Sequence, residues 1–285
     1  YVGFEAPALS ADEIWVLPSA DGSDGQMLAT DGSGTLSWIS NTAATNIDGL
    51  SDSKSGGTDF TGSLLVGHQT TGTLDAATYN TGVGLTALDA LTTGDYNTAV
   101  GYAALTANTT GLYNTGSGAT ALAANTTGDF NIATGARALD VNTTGSGNAA
   151  IGYNALGTNT TGARNLAIGY QAYDGADTEN DNLAIGYDAL GGAVAGGEYN
   201  VAIGNYSLDA NTSGGWNTAV GYDAMTTNIG GDKNTSIGFQ SLQANTEGNK
   251  NVAVGMYSMY ANTTASDNVA VGYESLKVNT TGTSN

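Results

Sequence analysis

Asn97-Thr-Ala-Val-Gly-Tyr-Ala-Ala-Leu-Thr-Ala-Asn-Thr-Thr-Gly-Leu-Tyr113 is one copy of a phrase that the chain writes twelve times. Every copy opens on an asparagine, from Asn80 and Asn97 through Asn148 and Asn217 to Asn268, and Asn285 opens a thirteenth. Eleven intervals are 17 residues and one, from Asn182 to Asn200, is 18. Seventeen residues cannot bury a core of their own, so a period this short makes each copy a single rung of a stack.

Numbered from its asparagine, each copy has Gly at the fifth place, as at Gly101, Gly152, Gly221 and Gly272. The fourth place is Val or Ile except at Ser117 and Thr134, and the eighth is Ala or Ser. Leu stands ninth, as in Leu105 and Leu156, and gives way only to Tyr173, Met225 and Met259. Along Thr98 to Tyr102, period-two alternation puts Thr, Val and Tyr on one face and Ala and Gly on the other, which predicts a strand. The following Ala-Leu reads as a second, shorter strand. Asn-Thr-Thr-Gly reads as the turn, with Asn tolerating left-handed backbone and Gly supplying positive φ. A helix would be broken in every copy by the same glycines.

These readings predict an all-β chain: a parallel β-roll or β-solenoid of 17-residue rungs, stacked at about 4.8 Å per rung. The shaft runs over 80–285, and Ser63 to Tyr79 forms a degenerate rung that caps it. Ahead of it, Glu13 to Leu17, Gln26 to Thr30 and Thr35 to Ile39 are short strand candidates, with Asp31-Gly-Ser-Gly34 as a turn. Residues 1–39 thus form a small β module, and the Ser/Gly/Asp/Thr-rich stretch 40–62 a linker or collar. The chain opens on Tyr1 and stops as a rung begins, so it reads as a piece of a longer polypeptide.

Composition narrows the function. The 26 acidic against 6 basic residues give a formal charge of −20, and the six cations form no cluster, which makes nucleic acid and anionic membrane poor partners. Cysteine is absent, so no thiolate metal site or disulfide framework exists. No apolar run is long enough to span a membrane. A lone histidine, His68, allows neither a nucleophile–base pair nor a histidine metal site, and no cofactor is expected. Few bulky apolar residues remain in each rung to offset the entropy of ordering it. A homotrimer, each copy presenting its Val/Ile or Leu ridge to the axis, is the expected remedy.

The phrase Asn165-Leu-Ala-Ile-Gly169, like Asn268-Val-Ala-Val-Gly272, resembles the head repeat of trimeric autotransporter adhesins, a family of parallel β-rolls that associate as trimers. The longer Gly-Tyr-x-Ala-Leu-x-x-Asn-Thr-Thr-Gly resembles repeats of bacteriophage tail-fibre-like proteins. Trp15-Val-Leu-Pro-Ser-Ala-Asp-Gly-Ser-Asp-Gly-Gln-Met-Leu-Ala-Thr-Asp-Gly-Ser-Gly-Thr-Leu-Ser-Trp38 is similar to a segment placed ahead of the tail-fibre shaft, and Asn46 to Phe60 to the connector behind it. The resemblance implies a non-enzymatic fibre on a virion or cell surface, holding a distal tip that recognises a host glycan or protein. A bacterial adhesin or extracellular filament subunit is the alternative. A polysaccharide-degrading tailspike is the third class, although the rungs do not place two acids at corresponding positions for glycoside chemistry.

Three features invite a binding role. The asparagines Asn97, Asn148, Asn217 and Asn268 stack in register, a pattern explained by rung-to-rung hydrogen bonding. At the sixth place, Tyr102, Tyr153, Tyr170, Tyr187, Tyr222, Phe239 and Tyr273 form a stripe suited to packing or to sugar stacking. Asp174, Asp177, Glu179 and Asp181 crowd one altered turn, an oxygen-rich group that suits calcium in composition but matches neither the EF-hand loop nor the Gly-Gly-x-Gly-x-Asp nonapeptide spacing. Asn-Thr-Thr at Asn108, Asn125, Asn142, Asn159, Asn262 and Asn279 also matches the glycosylation sequon.

Overall fold

The computed structural model describes residues 18–20, 23, 26–30, 35–40, 53–55, 64–66 and 77–285, other than 176 and 193–195. Contacts divide the chain into two units, Tyr1–Leu50 and Ser51–Asn285. In the first, β1 (Gln26–Thr30) and β2 (Leu36–Ser40) pair antiparallel, Leu28 opposite Trp38. Trp38 donates its indole N–H to the Ala20 carbonyl at 2.9 Å. The strand expected at Glu13 to Leu17 and the turn at 31–34 lie outside the described residues, as do His68 and most of the linker.

In the second unit, thirteen strands form one parallel sheet, from β4 (Leu64–Val66) and β5 (Thr81–Val83) to β16 (Val269–Val271). Among the described residues it contains no helix. The intervening strands follow every 17 residues: β6 at Thr98–Val100, β9 at Ala149–Ile151, β10 at Leu166–Ile168, β11 at Leu183–Ile185 and β12 at Val201–Ile203. Register is residue on residue: Thr98 pairs with Thr115 and Ala99 with Gly116. The single 18-residue step falls between β11 and β12, where Leu183 pairs with Val201. The extra residue is therefore absorbed outside the sheet.

Leu64–Val66, from the stretch read as a degenerate rung, pairs parallel with β5. Leu65 of β4 is buried, and Gly82 opposite it makes room, since a Cβ there would lie 2.5 Å from Leu65 Cδ2. The free side of β4 is covered by β3 (Ser53–Ser55), which pairs antiparallel to it from within the stretch read as linker. An antiparallel cover ends a parallel ladder that would otherwise present a bare edge.

Each rung differs from its sequence reading in three places. First, the strand is three residues long, because Gly101 has φ +136 and turns the chain; a Cβ on it would meet the Gly118 carbonyl oxygen at 2.5 Å. The glycine is thus a corner pressed on the next rung's corner, not part of a flat face. Second, Ala104-Leu105 is a turn and not a strand. Ala103 and Leu105 both adopt left-handed backbone, φ 53 and 52, and this breaks the alternation so that Ala104 and Leu105 are both buried. Third, Gly111 in the Asn-Thr-Thr-Gly turn has no positive φ. What requires glycine there is room: a Cβ would lie 2.4 Å from Asn108 Oδ1 and 2.5 Å from the Gly128 carbonyl oxygen.

The interior of a rung is consequently Ala99, Ala104 and Leu105 with Asn97 and Asn108, all buried. Leu cannot be the ridge that faces a symmetry axis, since Leu105, Leu122, Leu139 and Leu156 fill the coil itself. Val100 and Ile151 point outward from the sheet, each 42% exposed. The backbone is hydrogen-bonded rung to rung well beyond the strand: Leu105 N–H reaches the Ala121 carbonyl, Ala107 N–H that of Ala123 and Thr109 N–H that of Thr126, each at 3.0 Å.

Candidate functional site

Two asparagine ladders occupy the core. In the first, Asn97 donates its side-chain amide to the Gly111 carbonyl at 2.9 Å, while its Oδ1 accepts the Asn114 backbone N–H at 3.0 Å. Asn148 repeats this with Gly162 and Asn165, and Asn217 with Gly231 and Asn234. In the second, at the twelfth place, Asn125 donates to Asn108 Oδ1 at 2.8 Å and Asn142 to Asn125 Oδ1 at 2.8 Å. Sequence reading took this second set as turn residues and glycosylation sequons. Asn108, Asn125, Asn142, Asn159 and Asn262 are buried with their side-chain amides committed, so a glycan cannot be attached to them in the folded stack.

A third ladder runs at the sixteenth place and was not read from the sequence. Asp95 Oδ1 accepts the Thr78 N–H at 2.7 Å, Asp129 Oδ1 the Leu112 N–H at 2.7 Å and Asp232 Oδ1 the Gly215 N–H at 2.8 Å. Ser146, Asn180, Asn249 and Ser266 do the same from that place. The available signal was a short polar residue recurring at one place in seven copies. Three of the chain's 26 acidic residues, Asp95, Asp129 and Asp232, thereby cap backbone donors.

The four acids of the altered turn are not brought together. Asp174 accepts from Gln171 Nε2 at 2.9 Å and Asn154 Nδ2 at 3.2 Å, and Asp177 is bound by the Thr160 hydroxyl. Asp181 forms a paired ion bridge with Arg164, both contacts at 2.7 Å, which lowers its pKa. Glu179 turns inward, and its carboxylate accepts the backbone N–H groups of Asp177, Thr178 and Gly196 at 3.1, 3.1 and 2.9 Å. Among the described residues no three His, Asp or Glu side chains gather as a cation cage.

Glu179 turns inward where the twelfth-place ladder is interrupted, and it does not replace the missing link. The twelfth place of its rung is Ala176 in the sequence, and Asn159 Oδ1 in the rung before is buried without a partner. Tyr173, in the place of the usual Leu, is also buried and its hydroxyl accepts from Asn182 Nδ2 at 2.6 Å. Burial pushes the Tyr173 phenol far up, with the Glu179 charge adding to it. Both polar groups are structural plugs.

From Tyr153 onward the aromatic stripe is continuous, even where the sixth place fails. Tyr153, Tyr170 and Tyr187 stack with centroids 5.3 Å apart, and Tyr222 stacks on Phe239 at 5.5 Å. Asn205 and Met256 interrupt the sixth place, and Tyr206 and Tyr257 at the seventh fill the gaps by edge contacts at 5.4–5.9 Å. Tyr257 reaches Tyr273 at 6.5 Å. A second stripe, unread in the sequence, lies at the seventeenth place: Tyr79, Tyr96, Tyr113 and Phe130 stack at 4.8–5.1 Å, and Tyr199 on Trp216 at 5.5 Å. Rings stacked on one another turn their faces along the ladder and their edges outward, a poor platform for sugar rings. Tyr102 alone of the sixth-place tyrosines has no ring contact and is 59% exposed.

Asp188 and Asp209 lie on the turn side of the rungs. Burial first, then the Asp188, Asp174 and Asp223 charges, raise the Asp209 pKa above the ordinary carboxylate value. A carboxyl whose folded pKa is raised opposes folding while ionised, so its penalty is full at pH above the folded pKa, fades as pH falls from there to the unfolded value and is gone below it. Asp209→Asn is therefore expected to raise Tm at neutral pH, with the gain vanishing near about pH 3; paired thermal melts at the two pH values check this.

No family model, curated protein or solved structure matches this chain.

Proposed function

We propose that residues 80–285 are the non-enzymatic shaft of a homotrimeric fibre, a spacer of a bacteriophage tail or capsid fibre that holds host-receptor recognition at a distal tip. One observation carries the trimer: the second, fourth and sixth places, which form the outward sheet face and one flank, hold no charged residue in any of twelve rungs, in a chain of net charge −20. Copies so strongly like-charged approach one another favourably only through a face without charge, and this one is lined by Ile151, Leu166, Ile168, Leu183 and Ile185. The core supports the same reading, since Ala, one Leu and two Asn per rung leave the Val/Ile row outside. The assignment to a phage fibre rests on the repeat together with the likeness of residues 11–60 to tail-fibre segments.

Light scattering of the purified chain is expected to give three times the monomer mass. Ile151→Glu, which places a carboxylate on the shared face, is expected to yield monomers with an unchanged circular dichroism spectrum. A wild-type monomer would end the trimer reading. Immunogold labelling with an antibody to this chain tests the fibre: gold on phage tails supports it, and gold on the cell envelope of uninfected bacteria replaces it with the adhesin.

A further inference from the structure

The two flanks of the outward sheet face are unlike one another at nearly every height. The seventeenth place lies just before each strand and the sixth just after it, so the two rows border the same face on opposite sides. In the early rungs the first row carries rings, Tyr79, Tyr96, Tyr113 and Phe130, where the second has Leu85, Tyr102, Ala119 and Ala136. Over the next three rungs the roles exchange, with Tyr153, Tyr170 and Tyr187 in the second row at the heights of Gly147, Arg164 and Asp181 in the first, and they revert at Tyr199 against Asn205. Phe239 and Tyr273 stand likewise at the heights of Lys233 and Asp267. Both flanks carry a sixth- or seventeenth-place ring at the same height only with Tyr96 and Tyr102, and with Trp216 and Tyr222.

We propose that this alternation is a register code between copies: the first flank of one copy packs on the second flank of the next at equal height, a ring against a side chain without one. The proposal rests on the trimeric reading above and adds how the copies find their alignment. A cyclic assembly of parallel copies joins unlike flanks at the same height by symmetry. A slide of three rungs sets Tyr96, Tyr113 and Phe130 against Tyr153, Tyr170 and Tyr187, ring row on ring row, with gaps elsewhere. A regular repeat otherwise offers a rod many near-equivalent alignments, one per rung, and the backbone contains nothing to choose among them. The exposed, stacked ring rows supply the choice: Phe130 is 61% exposed and packed only along its own ladder.

The test is a flank exchange in the full chain. Ala136→Phe sets ring against ring and is expected to weaken trimerisation at least about tenfold in a dilution series followed by light scattering. The double exchange Phe130→Ala with Ala136→Phe, which moves the ring to the opposite flank at the same height, is expected to recover most of that loss. Circular dichroism separates misfolding from lost association. A wild-type monomer overturns the trimer and the code together. A stable wild-type trimer in which Ala136→Phe changes nothing, or in which the double exchange is no better than the single, overturns the code and leaves the trimer standing.

Discussion

Gly152→Ala is expected to split the solenoid into two independently unfolding blocks and to cost about 4 kcal/mol or more. Gly152 has φ +136, a backbone region that side chains avoid at a cost of about 1–3 kcal/mol. The added Cβ would also lie 2.2 Å from the Gly169 carbonyl oxygen and 2.6 Å from its carbon, so the two rungs must part. Separation breaks the hydrogen bond from Gly169 N–H to Ile151 O at 2.8 Å and loosens the pairing of β9 with β10. In a stack each rung touches only its neighbours, so the damage divides the stack at one interface. Hydrogen exchange read by mass spectrometry is expected to show the rungs on the two sides of residue 152 losing protection at different denaturant concentrations. A single transition at the wild-type midpoint would refute the corner-on-corner contact.

Asn148→Ala is expected to destabilise by about 2–4 kcal/mol, a cost out of proportion to the few atoms removed. The Asn148 side chain donates to the Gly162 carbonyl at 2.7 Å and accepts the Asn165 N–H at 2.9 Å. Gly162 O keeps the amide of Asn159 at 3.1 Å, but the Asn165 N–H is left buried with no acceptor. An orphaned donor in a dry interior costs about 1–3 kcal/mol, beyond the roughly 1 kcal/mol of the bond lost. Thr110→Ala, exposed in the turn and away from the outward sheet face, serves as the control and is expected to stay within about 0.5 kcal/mol. Equal effects of the two substitutions on a urea midpoint would remove the ladder from the account of stability.

Repetition made the architecture legible. Asn80 to Asn285 at a 17-residue spacing leaves few arrangements other than stacked rungs, and alternation in Thr98-Ala-Val100 identifies which face of the strand turns inward. The turns were less legible, because local propensity points the wrong way there. Leu105 is not a residue that favours left-handed backbone, and it adopts φ 52 because stacking puts it and Ala104 in the same interior. Gly111 looks like a positive-φ glycine, and its requirement comes instead from Asn108 and the neighbouring rung. Asn108 itself reads locally as a turn residue, and only contact with Asn125 across 17 residues makes it a ladder.

For the candidate sites the same division holds. The rows Asn97 to Asn268 and Tyr153 to Tyr187 were visible because the same residue type recurs at one place in successive copies. The acid group at Asp174, Asp177, Glu179 and Asp181 was a cluster in the sequence and is none in space, since a turn sends neighbouring side chains in different directions. By itself the sequence determined the rung, its period and the all-β class, because those follow from repetition and from the alternation of side chains along a strand. Only the tertiary structure decided which residues are core, since burial is set by the rung above and the rung below. That is why the ninth-place Leu faces inward, the fourth-place Val and Ile face outward, and three polar ladders hold together a coil whose apolar interior is little more than one leucine and two alanines per turn.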